Sequence, residues 1–295
     1  MVACGTKRSF LDYRAMNFEN RKPWKQILWI SSLTVLAMLA FIPHGFPFAL
    51  AAQSAKQKSG KTRVAPTPKP VVAETPMPFR VGETLKYEVS WLAFSTAATV
   101  QLNIVERREL SGWSTWHFRA GAHTENTVRS MYSIDDQFDS YTDSSSLESR
   151  QYEMYLNENG KKQDHVYQLL PMGEPARGTQ PHTMVAPGTR DPLGMLYALR
   201  GVDWQKTPEF RAPVYDGRDL YEVRARVESA ADPVSVTAGK YTASRIALHL
   251  YQHDKEVAGM NFSAWLAQDP AHTPVLMKAE LPLGNLRVEL ISASQ

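Results

Sequence analysis

After Cys4 the chain of 295 residues contains no cysteine. Anything downstream must therefore hold together by its core alone, without disulfides or thiolate-bound metal. Charge of one sign is also scarce, with 33 Lys and Arg against 30 Asp and Glu. No basic stripe points to nucleic acid. No serine stands in a Gly-x-Ser-x-Gly frame and no acidic run has the Asp-x-Asp-x-Asp-Gly loop spacing, which speaks against an esterase-type nucleophile and an EF-hand calcium loop. No catalytic residue, metal ligand or cofactor site is expected from these absences.

Long apolar runs are absent too, with one exception. Residues 27–42 are uncharged and mostly apolar, follow Arg21, Lys22 and Lys25, and lead past Pro43, Gly45 and Pro47 into Ala49-Leu50-Ala51. A basic stretch, an apolar stretch and a small-x-small site form an export signal. Residues 1–51 are longer than the usual signal, so Met16 is the expected true start. The apolar run falls between a signal core and the ~20 residues of a membrane span, which leaves an uncleaved inner-membrane anchor as the alternative to cleavage. Either way the remainder is expected in the periplasm.

Residues 52–78 carry Pro66, Pro68, Pro70, Pro76 and Pro78 together with Lys56, Lys58, Lys61, Arg63 and Lys69. Few of their side chains can be buried, so they read as an extended, disordered linker. Residues 79–295 reverse the charge, with 27 acidic against 22 basic residues. Their length suits one domain with one core.

That domain reads as strand after strand. Leu85, Tyr87, Val89 and Trp91 alternate with Lys86, Glu88 and Ser90, and the same period of two recurs at Ala98, Val100, Leu102 and Ile104 and in most later segments. Such alternation gives each strand one buried and one wet face. About eleven to thirteen strands are expected, mostly antiparallel. Asn159-Gly160 predicts a type I′ hairpin, in which partner numbers sum to 319 and Tyr152 faces Tyr167. Asp216-Gly217 predicts a second hairpin, and Gly239 a third turn. Asp191 followed by Pro192, with apolar residues at 192, 195, 196 and 199, predicts one short helix with an acidic N-cap. The Gly- and Pro-rich residues 171–188 before it read as a mobile loop. The fold class is all-β: a strongly curved antiparallel sheet or unclosed barrel with one covering helix.

Candidate sites are few. His249 and His253 share a strand face but lie too far apart to hold one metal. Asp135, Asp136, Asp139 and Asp143 read as a solvated acidic strand end, and Ser144-Ser145-Ser146 as a polar turn. Trp91, Trp113, Trp116, Trp204 and Trp265 supply aromatic area, for a core or a groove. The ligand-binding candidates are Trp91, Trp116 and Trp265 with Met195, Leu196 and Leu199 of the helix.

Several segments carry a resemblance: Pro78-Phe79-Arg80-Val81-Gly82-Glu83-Thr84-Leu85-Lys86-Tyr87, Asp191-Pro192-Leu193 with Leu196-Tyr197-Ala198-Leu199-Arg200, Val214-Tyr215-Asp216-Gly217-Arg218, and Trp265-Leu266-Ala267-Gln268-Asp269. In this order they resemble the family of domain of unknown function 3108, over nearly all of residues 78–292. The resemblance implies exported β-rich bacterial proteins and supplies no activity, cofactor or catalytic residue to carry over. In architecture alone, a curled sheet with a helical lid is similar to periplasmic lipoprotein carriers. Three functions follow as expectations. The first is a non-enzymatic carrier of a lipid or lipidated protein. The second is an envelope scaffold with a filled core and a protein partner, and a weaker third is a glycan or peptide hydrolase.

Overall fold

A computed structural model describes residues 76–176, 180–282 and 284–294. The signal segment, Met16 and the linker up to residue 75 lie outside the described residues. Strands β1 (Thr84–Trp91), β2 (Phe94–Leu110) and β3 (Trp113–Thr124) come first, followed by helix α1 (Asn126–Met131). Next are β4 (Asp135–Asp143), β5 (Ser149–Glu158), β6 (Lys161–Pro171) and β7 (Thr183–Val185), before helix α2 (Pro192–Gly201). The chain ends with β8 (Glu209–Tyr215), β9 (Leu220–Val236), β10 (Gly239–Gln252), β11 (Lys255–Glu256), β12 (Asn261–Ala267), β13 (Pro274–Leu281) and β14 (Gly284–Ser294).

All belong to one sheet, in the order β7-β6-β5-β4-β3-β2-β1-β14-β13-β12-β10-β9-β8, with β11 attached to β10. The first long strand pairs with the last, so the two halves of the chain meet in mid-sheet. Every strand pairing is antiparallel except β6 with β7. The sheet curls until its ends approach, leaving a seam between β7 and β8 without a continuous ladder. Three backbone hydrogen bonds tack it together: Arg190 N to Pro213 O at 3.0 Å, Tyr215 N to Arg190 O at 2.8 Å, and Ser149 N to Thr189 O at 3.0 Å. Tyr167 and Tyr215 meet edge to face across it at 5.6 Å. Gly217 has φ +101°, and a Cβ there would stand 2.9 Å from Met154 Cε and 3.1 Å from the Tyr167 ring. Only glycine lets the β8–β9 turn close on β5 and β6.

The Asn159-Gly160 hairpin has the expected register, with Glu158 opposite Lys161, Met154 opposite His165 and Tyr152 opposite Tyr167. Both turn residues take positive φ, 49° and 77°. A Cβ on Gly160 would meet nothing within 4 Å, so the cost of a substitution is confined to the backbone. Gly160→Val is expected to destabilise the domain by about 1–2 kcal/mol, read from urea melts. An unchanged midpoint would mean that the turn tolerates a β-branched residue at positive φ.

Two expectations need correction. The Asp216-Gly217 hairpin forms between β8 and β9 as expected, but its turn is four residues long instead of two, with Tyr215 paired to Leu220, because the Asp216 carboxylate accepts the amides of Arg218 and Asp219 at 2.8 and 2.7 Å. Such a side-chain-held turn competes with the two-residue form. Residues 171–188 are not all loop, since Thr183–Val185 forms β7 on the free edge of β6. β7 and β11 are the strands too short for alternation to reveal. Helix α1, six residues long, was not expected either, being too short for a 3.6 period to show.

Helix α2 begins as expected, with Asp191 Oδ1 accepting Gly194 N at 2.8 Å and Pro192 in the first turn. Its surroundings differ from those of an amphipathic lid. Every residue from Leu193 to Arg200 is buried, so α2 covers the concave face from within. A helix that is apolar all round belongs in a core.

Candidate functional site

The concave face and α2 form the centre of the molecule. From β1, β2, β3, β4 and β5 the inward residues Leu85, Tyr87, Leu102, Phe118, Phe138 and Tyr152 are fully buried. They form one cluster with Leu193, Leu196 and Tyr197 of α2. Tyr197 stacks on Phe118 at 3.8 Å and 6°, and Phe79 meets Tyr197, Trp116 and Phe118 edge-on at 5.3 to 5.6 Å. Side chains with no accessible surface border no gap wide enough for water, so this part of the interior is packed.

Two polar devices fix the helix at its ends. At the N-terminus Asp191, wholly buried, accepts the hydroxyls of Ser140 and Ser149 on Oδ2 at 2.5 and 2.6 Å. Its own amide donates to Ser149 Oγ at 2.7 Å. Burial raises the Asp191 carboxyl in spite of these bonds. At the C-terminus the Arg200 guanidinium donates to both oxygens of Glu83, at 2.6 and 2.7 Å, and to the Ala271 carbonyl at 2.9 Å. Both side chains of this pair are 1% exposed. Arg200 also lies over the rings of Phe79 and Tyr197. Glu83, Phe79, Tyr197 and Arg200 all come from segments quoted above for the resemblance, yet the alternation assigned them no role. The legible signal was a charged residue closing an otherwise apolar helix.

The ligand-binding candidates divide by location. Trp116, Leu196 and Trp265 belong to the main cluster. Met195 and Leu199 face a second cluster, with Ala212, Val214, Val223 and Ile246 of β8, β9 and β10. Trp91 is partly buried against the edge of the main cluster, where β1 turns into β2. The cleft lined by Leu110, Trp113, Arg150, Gln168, Glu174 and His182 measures about 30 Å³, room for one water. Arg150 lies over Trp113 at 3.8 Å there, and Trp204 donates to the Leu199 carbonyl at 3.0 Å.

The four aspartates do not form one patch. Period two turns Asp135, Asp139 and Asp143 outward and Asp136 inward. Asp135 pairs with Arg129, and Asp143 accepts the amides and hydroxyls of Ser145 and Ser146. Asp136 is buried and accepts Asn157 N at 2.8 Å, and burial pushes its carboxyl up to about 7. Asp216 is buried at the seam, raised to about 6 by burial, and its Oδ2 has no partner.

Asp139 is buried on the outer face, with His117 Nε2 at 2.5 Å, Arg119 Nε at 2.7 Å and Gln137 Nε2 at 2.6 Å. Burial would raise its carboxyl, but these three donors outweigh it and hold the group below the usual range. Tyr141 stacks on His117 at 4.3 Å, and His117 Nδ1 is buried without a partner. The buried Ser140 and Ser149 bond to Asp191, not to this pair. His249 bonds to Glu256 at 2.7 Å, while His253 sits in a turn at φ 51°. Among the described residues no three His, Cys, Asp or Glu side chains are grouped to hold a metal ion.

A family model described as "Protein of unknown function (DUF3108)" matches residues 86–291. Among solved structures, the chain is similar to a beta-barrel-like protein of the domain of unknown function DUF1849 from Brucella abortus. That likeness has 11% identity and a TM-score of 0.47 over 72% of this chain and 97% of that one. A protein with a YmcC-like fold from Bacteroides fragilis gives 9% and 0.34 over 74% and 98%. A hypothetical protein from Chlamydia trachomatis gives 8% and 0.36 over 73% and 88%. Likeness at such identities says nothing of function. No curated protein matches the chain.

Proposed function

Because the chain belongs to the DUF3108 family, whose function is unknown, we propose its role from its own geometry: a non-enzymatic binding domain of the cell envelope, with a self-filled barrel and an outer surface that engages its partner. Of the expected functions this is the filled-core scaffold. One observation carries it, the burial of α2 on every side from Leu193 to Arg200. An acyl chain would need the space that α2 occupies. Releasing the helix would strip Glu83 of Arg200 and Asp191 of Ser140 and Ser149, leaving charges buried without partners. The basic and apolar residues 21–42 with Ala49-Leu50-Ala51 support a place outside the cytoplasm.

The test is direct. Protein purified from the periplasm is expected to carry no lipid in native mass spectrometry and to give no saturable signal with a fluorescent fatty acid. An acyl chain bound one to one would overturn the filled-barrel reading in favour of a carrier.

A further inference from the structure

One corner of the barrel rim is apolar, although the same end also carries the polar Asn159-Gly160 tip and the turn at residues 216–219. It is the corner at which β1 turns into β2 through Leu92 and Ala93. Leu92 is 64% exposed and takes φ 51°, the first position of a two-residue turn between the paired Trp91 and Phe94. Turns with positive φ at that position favour glycine. A large apolar side chain there is mostly exposed to water and held in a conformation that disfavours it, and its one packing contact, on Gly284, leaves most of it uncovered.

The neighbouring connections extend the surface. Leu92 packs against the backbone of Gly284, where a Cβ would collide with it. A Cβ on Gly259 would lie 3.5 Å from Pro282, so the segment before β12 abuts the β13–β14 connection. Phe94 stacks on Trp91 at 6.3 Å, and Met260 packs beside the main cluster. The Trp91 indole N–H is buried beside Gly284 without a hydrogen-bond partner. Met131 of α1 and Leu220 at the β8–β9 turn, 67% and 43% exposed, lie at the same end. The register requires this, since Ala98 pairs with Thr124 and Tyr251 with Glu222.

We infer that this corner of the rim docks on the surface of a lipid bilayer, with Leu92 inserted among the acyl chains and the partly exposed Phe94 at headgroup level. Leu92 stands at the tip of a two-residue hairpin, which suits insertion between lipids; a folded partner would want a groove or a flat patch. Exposed His253, Asp254 and Lys255 flank the tips with groups that stay hydrated. Where residues 27–42 stay uncleaved they would anchor the same chain in a membrane, and tethering lets a weak second contact suffice. The inference rests on the envelope reading and names the surface on which the outer face acts.

The full chain with Cys4→Ser offers a single labelling position. With Ala93→Cys carrying an environment-sensitive fluorophore, vesicles of phosphatidylethanolamine and phosphatidylglycerol are expected to raise its emission several-fold, and spin-labelled lipids to quench it. The same label at Lys206→Cys, an 85%-exposed side chain at the opposite end, should respond to neither. Leu92→Gly, which suits the backbone and removes only the apolar group, should keep the fold and abolish the response at 93. The docking fails if the two labels behave alike, if Leu92→Gly leaves the response intact, or if the label at 93 is shielded without lipid as the protein self-associates. None of these results touches the filled barrel, which only an acyl chain bound inside would overturn.

Discussion

Arg200→Met is expected to destabilise the domain by about 3–5 kcal/mol, a large share of the ~5–15 kcal/mol that holds most domains folded. The side chain lost is of similar length, so packing changes little. What changes is Glu83, left 1% exposed with no counter-charge, and the Ala271 carbonyl, deprived of its charged donor. Replacing both partners, Glu83→Leu with Arg200→Met, removes the buried charges together and should recover most of the loss. Urea melts of the two single variants and the double variant give the coupling between the sites. A single-variant cost below about 1 kcal/mol would show that the pair does not hold α2. Arg200→Lys tests geometry separately, since one ammonium cannot reproduce a planar fork that spans both oxygens of Glu83 and also reaches Ala271.

This pair marks the boundary of what the sequence discloses. Alternation exposed the long strands because each keeps one face in the core; Leu85, Tyr87 and Val89 are buried as the period demands. The Asn159-Gly160 turn carried its register with it, because positive φ at two adjacent positions admits few other structures. Asp191 and Pro192 announced α2 through local chemistry. The environment of that helix is not local. Its C-terminal Arg200 reads like a solvent-facing end, and its partner Glu83 lies 117 residues away, in a stretch where Lys86 and Glu88 mark the wet face. Nothing within either segment says that the two charges meet in the core. The seam was equally hidden: Gly217 signalled a turn, while its close approach to Met154 and Tyr167 depends on how far the sheet curls. Trp91 was legible as aromatic area, but its place at a rim follows from the pairing of β1 with β14, which joins the two ends of the chain. Asp136 shows a different case. Expected with its neighbours at a solvated strand end, it is buried instead, because its even position puts it on the face of Ile134 and Phe138.

That inward direction has a consequence for pH. Burial lifts the Asp136 carboxyl to about 7 and that of Asp216 to about 6, against about 3.9 in an unfolded chain. Between those values the native state binds more protons than the unfolded state, so stability falls as pH rises from about 4 to about 7 and levels off above. For Asp136 the full span corresponds to about 4 kcal/mol, for Asp216 to about 3. An amide oxygen in place of either carboxylate would still accept the same backbone donors, the amide of Asn157 at the first site and those of Arg218 and Asp219 at the second, so neither substitution breaks a turn. Asp136→Asn is therefore expected to stabilise the domain by about 2–4 kcal/mol at pH 8 and to change little near pH 4. Asp216→Asn should do the same on a smaller scale and over a window that ends nearer pH 6. Because the two carboxyls lie at different places, Asp136 at the β4–β5 edge and Asp216 at the seam, the double variant should add the gains. Denaturant melts at pH 4, 6 and 8 read all of this from one set of proteins. If the variants keep the wild-type loss of stability between pH 4 and pH 8, these two carboxylates are not its source, and the buried Asp191 becomes the group to examine.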